Sequence, residues 1–397
     1  MDFEFRNATK VVFGPGSLSR LGAEASAVGR RALVVIGGGS VRRSGALDRA
    51  LASLAGAGVD AAVFEGVEPN PRLSTVLRGA DAARAAGADL VVALGGGSVM
   101  DAAKVMAACV HYDGDPWAMM YVGAREPRLP SRALPIVTVP TLAATGSETN
   151  DGAVITNVAT REKSYVAADC LAPAVAVVDP ELTVGVPPDQ TAYGVSDIIC
   201  HVTESWLNAR GETPLQDRMA EAVVATAIEW GPRAVRDGRD VEARTHLQLA
   251  SIVALNGWVQ AGTNAPFPVH AIEHVLSAHH DIPHGAGLAV VNPAWMRFVA
   301  PRRPARFVAF ATRLFGVRAA GPDDVEAAIE GIDRFESFLK SIGCPTRLEA
   351  AGCRSDLVPA YAADAVRSGG DGRKVPGRPP LTEADVASLL LLASAPA

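Results

Sequence analysis

The chain has 397 residues, 49% of them hydrophobic and 20% charged, with a formal net charge of −6. That length fits two domains or one large one, because single cores stop growing at roughly 250–300 residues. An acidic balance with no basic tract argues against a nucleic-acid partner or an anionic membrane surface and for a soluble acidic enzyme. No run of about 18 apolar residues is free of charges or breakers. The start MDFEFRNATK has acidic residues where a signal peptide carries a basic start and an apolar run, so a cytoplasmic location is expected. The cysteines, Cys109, Cys170, Cys200, Cys344 and Cys353, are odd in number and form no CxxC pair, which reads as buried thiols.

In chain order, short apolar strands are predicted at Ala32–Ile36, Ala61–Phe64, Leu90–Leu94, Ile136–Val139 and Val175–Val178, separated by Ala-rich helical stretches. Runs of four or five apolar residues bounded by glycine and alternating with helices indicate a parallel sheet covered on both faces. Two of these strands run into glycine clusters, Gly37-Gly38-Gly39-Ser40 and Gly95-Gly96-Gly97-Ser98. In LGGGSVMDAAK (Leu94–Lys104) the strand, the glycines and the following helix place backbone N–H groups and a helix N-terminus above the turn, a site for a pyrophosphate. The turn follows neither the GxGxxG nor the Walker pattern, and a tight βα turn without a ligand is the alternative. Pro140–Glu148 (PTLAATGSE) follows the next strand with hydroxyls and a glycine, and two such loops at one sheet end favour a dinucleotide.

From about Asp179-Pro180 the pattern becomes helical, in segments 187–207, 217–231, 244–262 and 324–343. The expected organisation is a Rossmann-like α/β domain over residues 1–180 and an all-helical domain over 181–397. Ser368–Pro380 (SGGDGRKVPGRPP) reads as an exposed loop before a short last helix. Asp197 and His201, four apart, share one helix face. His270 and His284, fourteen apart, leave room for a helix to end and a turn at Ile282-Pro283 to bring back the second histidine. One carboxylate and three imidazoles suit Fe(II), Zn(II) or Mn(II) and leave a position for a substrate oxygen. Chance proximity, with Asp197 capping or pairing, is the alternative. Cys200 adjoins His201, but its side chain points about 100° around the helix from it.

The motifs NATKVVFGPGS (residues 7–17), GGGSVMDAAK, PTLAATGSE and VVDPELTVGVPP, together with the metal segments, make the chain resemble the iron-containing, or group III, metal-dependent alcohol dehydrogenases. Within that family it looks most like the NADPH-dependent butanol dehydrogenase and aldehyde reductase branch. The resemblance implies a dehydroquinate synthase-like fold and one divalent metal, Fe(II) or Zn(II), on Asp197, His201, His270 and His284. It further implies a pyrophosphate loop at Gly95, Gly96, Gly97 and Ser98 with Asp101 nearby, and a second cofactor loop containing Thr141, Leu142, Thr145 and Ser147. Lys163 matches a lysine near the nicotinamide ribose, and His274 a histidine used as proton relay beside the substrate. Leu142 and Ala144 depart from the common PTTAGTGSE and put the adenine-side contacts in question. Gly37 stands where NAD-preferring members commonly carry an aspartate, while Arg42 and Arg43 lie just beyond the Gly37–Ser40 cluster. NADP(H) is therefore the expected cofactor, ahead of NAD(H).

The function expected is metal-dependent reduction of a small aldehyde, or oxidation of a primary alcohol, by hydride transfer, in a homodimer. A small anionic aldehyde such as phosphonoacetaldehyde is the alternative substrate. A metal lyase of the dehydroquinate synthase type lacks its dense set of Lys, Arg and Asn here, and a non-catalytic binding protein would not need all four ligand positions. Asn150, Asp151, Trp258, Asn264 and Phe267 are candidate substrate contacts, and His279 and His280 read as loop residues.

Overall fold

A computed structural model describes residues 2–394. The first half alternates β1 (Lys10–Phe13), α1 (Leu21–Ser26), β2 (Arg31–Gly37), α2 (Ser40–Arg43), α3 (Ala46–Gly56), β3 (Asp60–Val67), α4 (Leu73–Ala85), β4 (Leu90–Gly95), α5 (Gly97–Cys109) and β5 (Ile136–Pro140). It continues with β6 (Gly152–Asn157), β7 (Glu162–Ala167) and β8 (Val175–Val178). Six strands form one parallel sheet in the order β1-β8-β5-β4-β2-β3. Its inner strands carry apolar side chains on both faces: β4 is buried along its whole length, and separate apolar clusters cover the two sides. All five strands expected from apolar runs are present. Two kinds were not anticipated. The edge strand β1 has only four residues, and the antiparallel hairpin β6–β7 (GAVITN and EKSYVA) is too polar to register as apolar runs.

The chain leaves β2 outward to β3 and returns on the other side of β2 as β4, so sheet order reverses at the carboxyl ends of β2 and β4. A crevice at such a reversal is where open α/β sheets take their ligands. Both glycine clusters sit there, and Thr141 follows β5, the next strand along.

The second half is helical: α6 (Pro188–Leu207), α7 (Pro214–Arg236), α8 (Val241–Leu255), α9 (Pro268–His280), α10 (His284–Val299), α11 (Pro304–Phe315), α12 (Val325–Ser341) and α13 (Val358–Ser368). A short antiparallel pair, β9 (Lys374–Val375) and β10 (Leu381–Thr382), precedes α14 (Glu383–Ser394). One apolar cluster, including Trp206, Trp295, Phe307, Phe310 and Phe335, unites these helices. Proline starts α6, α7, α9 and α11, where a missing N–H costs no helical bond. The segment expected as an exposed loop is only partly so: Val375 is buried where it pairs with Leu381, just beyond the segment, and the Gly123 N–H donates to the Ser368 carbonyl at 2.8 Å. No helix among the described residues is long and apolar enough to cross a membrane.

Candidate active site

On α6, Asp197, His201 and Glu204 fall at spacings of four and three and so share one face. Helix α9 brings His270 opposite them. It ends at Asp281, whose φ of 51° is the left-handed conformation that stops a helix. Pro283 then starts α10 with His284 as its first residue. The turn expected at Ile282-Pro283 does return the fourth residue to the other three.

Asp197 Oδ1 lies 3.5 Å from His201 Nε2, 3.7 Å from His270 Nε2 and 4.0 Å from His284 Nε2. The ligand atoms of Asp197, His201 and His270 all lie within 4.8 Å of one another, and His284 joins them through its 4.0 Å approach to Asp197 Oδ1, a cluster somewhat wider than the roughly 3.4 Å between ligands at about 2.1 Å around a tetrahedral ion. Asp197 Oδ1 and His270 Nε2 are buried without a hydrogen-bond partner among the described residues, a costly state unless a cation faces them. Asp197, Glu204 and Glu273 are buried carboxylates, and Lys163 is the buried ammonium beside them. Counted with the imidazoles neutral, as coordination requires even of His270, these groups leave two negative charges, which one divalent cation cancels. Burial holds the His201 pKa down to about 3. At His270 burial works in the same direction, but Glu204 and Asp197 overcome it and raise the pKa to about 10. The donor set fits a divalent metal.

The faces of the imidazoles away from this centre are not equivalent. His270 Nδ1 is hydrogen-bonded to Glu204 Oε2 and His284 Nδ1 to Glu273 Oε2, whereas His201 Nδ1 has no partner among the described residues. Glu204 and Glu273 were missed in the sequence. Their helical spacing from Asp197 and His270 was visible, but which imidazole each reaches is decided by how α6, α9 and α10 pack. Cys200 lies behind the centre, 3.6 Å from Glu204 Oε2, with burial pushing its thiol well above the ordinary range. His274 stands one turn beyond His270, with ring centroids 5.6 Å from His284 and 6.3 Å from His270. Burial, and then the Lys163 ammonium, hold its pKa well below 6.5, so the imidazole is neutral. The histidines read as loop residues instead close α9: His279 Nε2 is 2.8 Å from Asp364 Oδ2, and His280 bonds the Tyr361 hydroxyl.

Lys163, expected near a ribose, turns its ammonium to Asn70 Oδ1 at 2.9 Å, with His284 Nδ1 at 3.3 Å and Glu273 Oε2 at 3.5 Å. Asn70 in turn donates to Asp281 Oδ1 at 2.9 Å and the Ile282 carbonyl at 3.1 Å. These bonds tie the β6–β7 hairpin and the loop after β3 to the α9–α10 turn.

A cleft of about 1060 Å³ joins the histidine cluster to the α5 N-terminus. Of the residues expected at the cofactor, Gly97, Ser98, Asp101, Thr145, Ser147 and Lys163 line it. Gly37, Gly38, Gly39, Ser40, Gly95, Gly96, Thr141 and Leu142 lie outside its lining, at the carboxyl ends of β2, β4 and β5. At Gly97 a Cβ would stand 2.4 Å from Thr145 Cγ2, so glycine lets the two loops close on one another. Asn150, Asp151 and Phe267 line the cleft as expected. Trp258 and Asn264 do not. The Trp258 ring stacks on Phe5 at 4.0 Å, and the Asn264 carbonyl accepts a bond from Arg378. Tyr121 and Tyr165, stacked at 4.8 Å, line the cleft without having been anticipated.

Behind these loops lies a buried polar network. Lys104 is fully buried, and its ammonium reaches Ser147 Oγ at 2.8 Å, the Asn150 carbonyl at 2.9 Å, Asn150 Oδ1 at 3.0 Å and the Gly152 carbonyl at 2.7 Å. Asp101 accepts from the Ser147 hydroxyl at 2.6 Å and the Val154 N–H at 2.9 Å. Desolvation drives the Lys104 pKa down to about 8. Nearby Glu148, which accepts from Gln248 Nε2 at 3.0 Å, is raised by burial to about 7. A raised carboxyl means that the folded state keeps a proton that the unfolded chain releases between about pH 4.5 and 7. Stability from this group therefore falls as pH rises through that window, by about 3 kcal/mol in all. Glu148→Gln should flatten denaturant midpoints measured from pH 5 to 8, and an unaltered slope would refute the assignment.

A family model described as iron-containing alcohol dehydrogenase matches residues 8–180, and one for the C-terminal part of the Fe-containing alcohol dehydrogenase family matches residues 191–393. The probable NADH-dependent butanol dehydrogenase 1 of Bacillus subtilis is 40% identical over 94% of this chain and 95% of its own length. The NADPH-dependent aldehyde reductase of Escherichia coli is 34% identical over 90% of this chain and 91% of its own. The crystal structure of the NADH-dependent butanol dehydrogenase A of Thermotoga maritima superposes with a TM-score of 0.93 at 36% identity, covering 99% of each chain.

These relatives correct the expected preference for NADP(H). The four curated butanol dehydrogenases at 37–40% identity are named NADH-dependent, and the NADPH-dependent reductase is less similar at 34%. The structure supplies a physical reason. Arg42, expected to meet a 2′-phosphate, is bound by Glu65 of β3 at 2.8 Å. Glu65 Oε1 lies 4.0 Å from where a Gly39 Cβ would be and Arg43 Nη1 3.4 Å from it, so the Gly37–Ser40 turn carries a carboxylate beside the Arg43 guanidinium although Gly37 itself carries none.

Proposed function

This chain belongs to the iron-containing alcohol dehydrogenase family, an assignment carried by both family models and by the 40% identical relative, and on that premise we propose that it interconverts small neutral aldehydes and primary alcohols with NAD(H). It is a metal-dependent oxidoreductase acting by hydride transfer. In this reading residues 1–180 take the dinucleotide, and residues 181–397 hold the metal on Asp197, His201, His270 and His284. The observation that carries it is the convergence of three Nε2 atoms on Asp197 Oδ1 inside the cleft that also contains Gly97 and Ser98. When bound, the metal supplies Lewis acidity at the substrate oxygen and the nicotinamide supplies the hydride.

The chain's own residues supply position and a proton. The α5 N-terminus and the Thr145–Ser147 loop orient the cofactor, and Phe267 and Ala271 keep water from the reacting carbon. Neutral His274 relays the proton that the developing alkoxide takes up, giving it from one ring nitrogen as the other takes a proton from solvent.

Support for a neutral substrate comes from the charges lining the cleft. Lys163 is bonded to Asn70 and Arg6 is paired with Asp169, while Glu4, Asp151 and Asp371 add negative charge. An anionic tail would find no free cation among these described lining residues. NADH oxidation against neutral and anionic aldehydes, with and without chelator, tests the reading. Chelator-sensitive, stoichiometric oxidation with neutral aldehydes is expected, and preference for a phosphonate or sulfonate aldehyde would overturn it. Bound cofactor without net oxidation would point to a lyase.

Glu65→Gln tests the cofactor choice. Removing the carboxylate beside Arg42 should lower the KM for NADPH about tenfold at low ionic strength, with less effect on NADH, because the freed guanidinium can then meet a 2′-phosphate. An unchanged NADPH/NADH ratio would remove Glu65 from the argument. A homodimer is part of the same reading; its support is the edge position of β1, with Val11 and Phe13 exposed, and sedimentation velocity tests it.

A further inference from the structure

We infer that Glu204 and Glu273 are positioning residues that set how tightly the centre holds a divalent cation, by fixing the Nδ1–H of His270 and His284 and so presenting their Nε2 atoms. The inference rests on the reading of Asp197, His201, His270 and His284 as metal ligands. Glu204 stands seven residues after Asp197 on α6, and its two oxygens are divided between tasks. Oε2 bonds His270 Nδ1, while Oε1 accepts the Val269 N–H at 2.5 Å, in the first turn of α9. Glu273 stands three residues after His270 on α9, and its oxygens bond His284 Nδ1 and the Ser277 hydroxyl.

Both carboxylates are fully buried, a costly place for charge unless partners satisfy it. The fold also makes room for one of them. A Cβ at Gly287, one turn along α10 from His284, would stand 2.7 Å from both Cγ and Oε1 of Glu273. An imidazole that donates Nδ1–H to a carboxylate has its tautomer and ring orientation fixed and its Nε2 lone pair made more basic, which strengthens a metal bond. The two carboxylates reach histidines that come from separate helices, α9 and α10, so each anchors a different part of the ligand set. His201 already shares α6 with Asp197 and has no such anchor among the described residues.

Zn(II) binding by the full-length protein, read by competition with a chelating indicator, tests this apart from turnover. Glu204→Gln and Glu273→Gln should each weaken zinc affinity about 10–100-fold. Thermal melting of the metal-free proteins reports purely structural damage. Because Glu273 also faces Lys163, the double variant Glu273→Gln/Lys163→Met separates charge balance from positioning. Affinity that stays low in the double variant supports positioning, and affinity restored to the wild-type value overturns it for Glu273. Wild-type affinity in both single variants overturns the inference as a whole. Wild-type protein that takes up no zinc instead overturns the underlying metal assignment.

Discussion

His270→Ala should lose its metal and its turnover together, with kcat falling on the order of 10³-fold or more. His270 Nε2 faces Asp197 Oδ1 at 3.7 Å, and His270 is the residue through which Glu204 acts on the centre. Removing it opens the coordination shell and leaves Asp197 and Glu204 buried beside an apolar gap. A Lewis acid at the substrate oxygen is worth several kcal/mol of transition-state stabilisation, and each 1.4 kcal/mol is about tenfold in rate. Elemental analysis of the purified variant and NADH oxidation on the same sample decide the matter. Retention of both metal and rate would mean that the centre lies elsewhere.

Lys104→Met should destabilise the protein by about 3 kcal/mol, the loss expected when a buried cation that satisfies several buried acceptors is removed. The thioether fills the space of the aliphatic stem but donates nothing. Ser147 and the carbonyls of Asn150 and Gly152 then lose their donor, and Asp101, which accepts from the Ser147 hydroxyl, loses the positive charge nearby. The penalty should be visible as a lower urea midpoint with little change in slope. Adding Asp101→Asn should recover part of it, because the carboxylate is then no longer left buried without a counter-charge. Equal midpoints for wild type and Lys104→Met would show that the ammonium contributes nothing net to holding α5 against the 145–152 loop.

Much of the architecture was legible because burial on both faces writes a simple signal. VAVV, LVVAL and IVTV can be inner parallel strands because each is apolar, save Thr138, whose buried hydroxyl bonds the Glu148 carbonyl, and is bounded by turns. β1 and the β6–β7 hairpin were missed because the first is only four residues long and the second too polar to register, whereas β3, at the opposite edge, was found from its apolar Ala61–Phe64 run. The four candidate ligands were legible from helix geometry and one turn, since Asp197 and His201 stack on α6 and Ile282-Pro283 separates α9 from α10. Trp258 shows the opposite case. Sequence proximity to site motifs suggested a substrate contact, but its ring stacks on Phe5, a residue of the cleft wall, and does not itself line the cleft.

Cofactor preference marks the boundary between the two kinds of information. Gly37 carries no carboxylate, but Glu65, twenty-eight residues later, brings one to that turn beside Arg43 and pairs with Arg42, carried there by parallel pairing of β2 with β3. The sequence by itself determined the period of each buried element, the loops at the sheet's carboxyl edge and the helical spacing of the candidate ligands, because these depend on neighbours within one turn or one strand. Only the tertiary structure decided that Glu65 holds Arg42, that Lys163 bonds Asn70, and that Glu204 and Glu273 brace different imidazoles. Those pairings join side chains from separate elements, and their partners are fixed by packing and desolvation rather than by any local period.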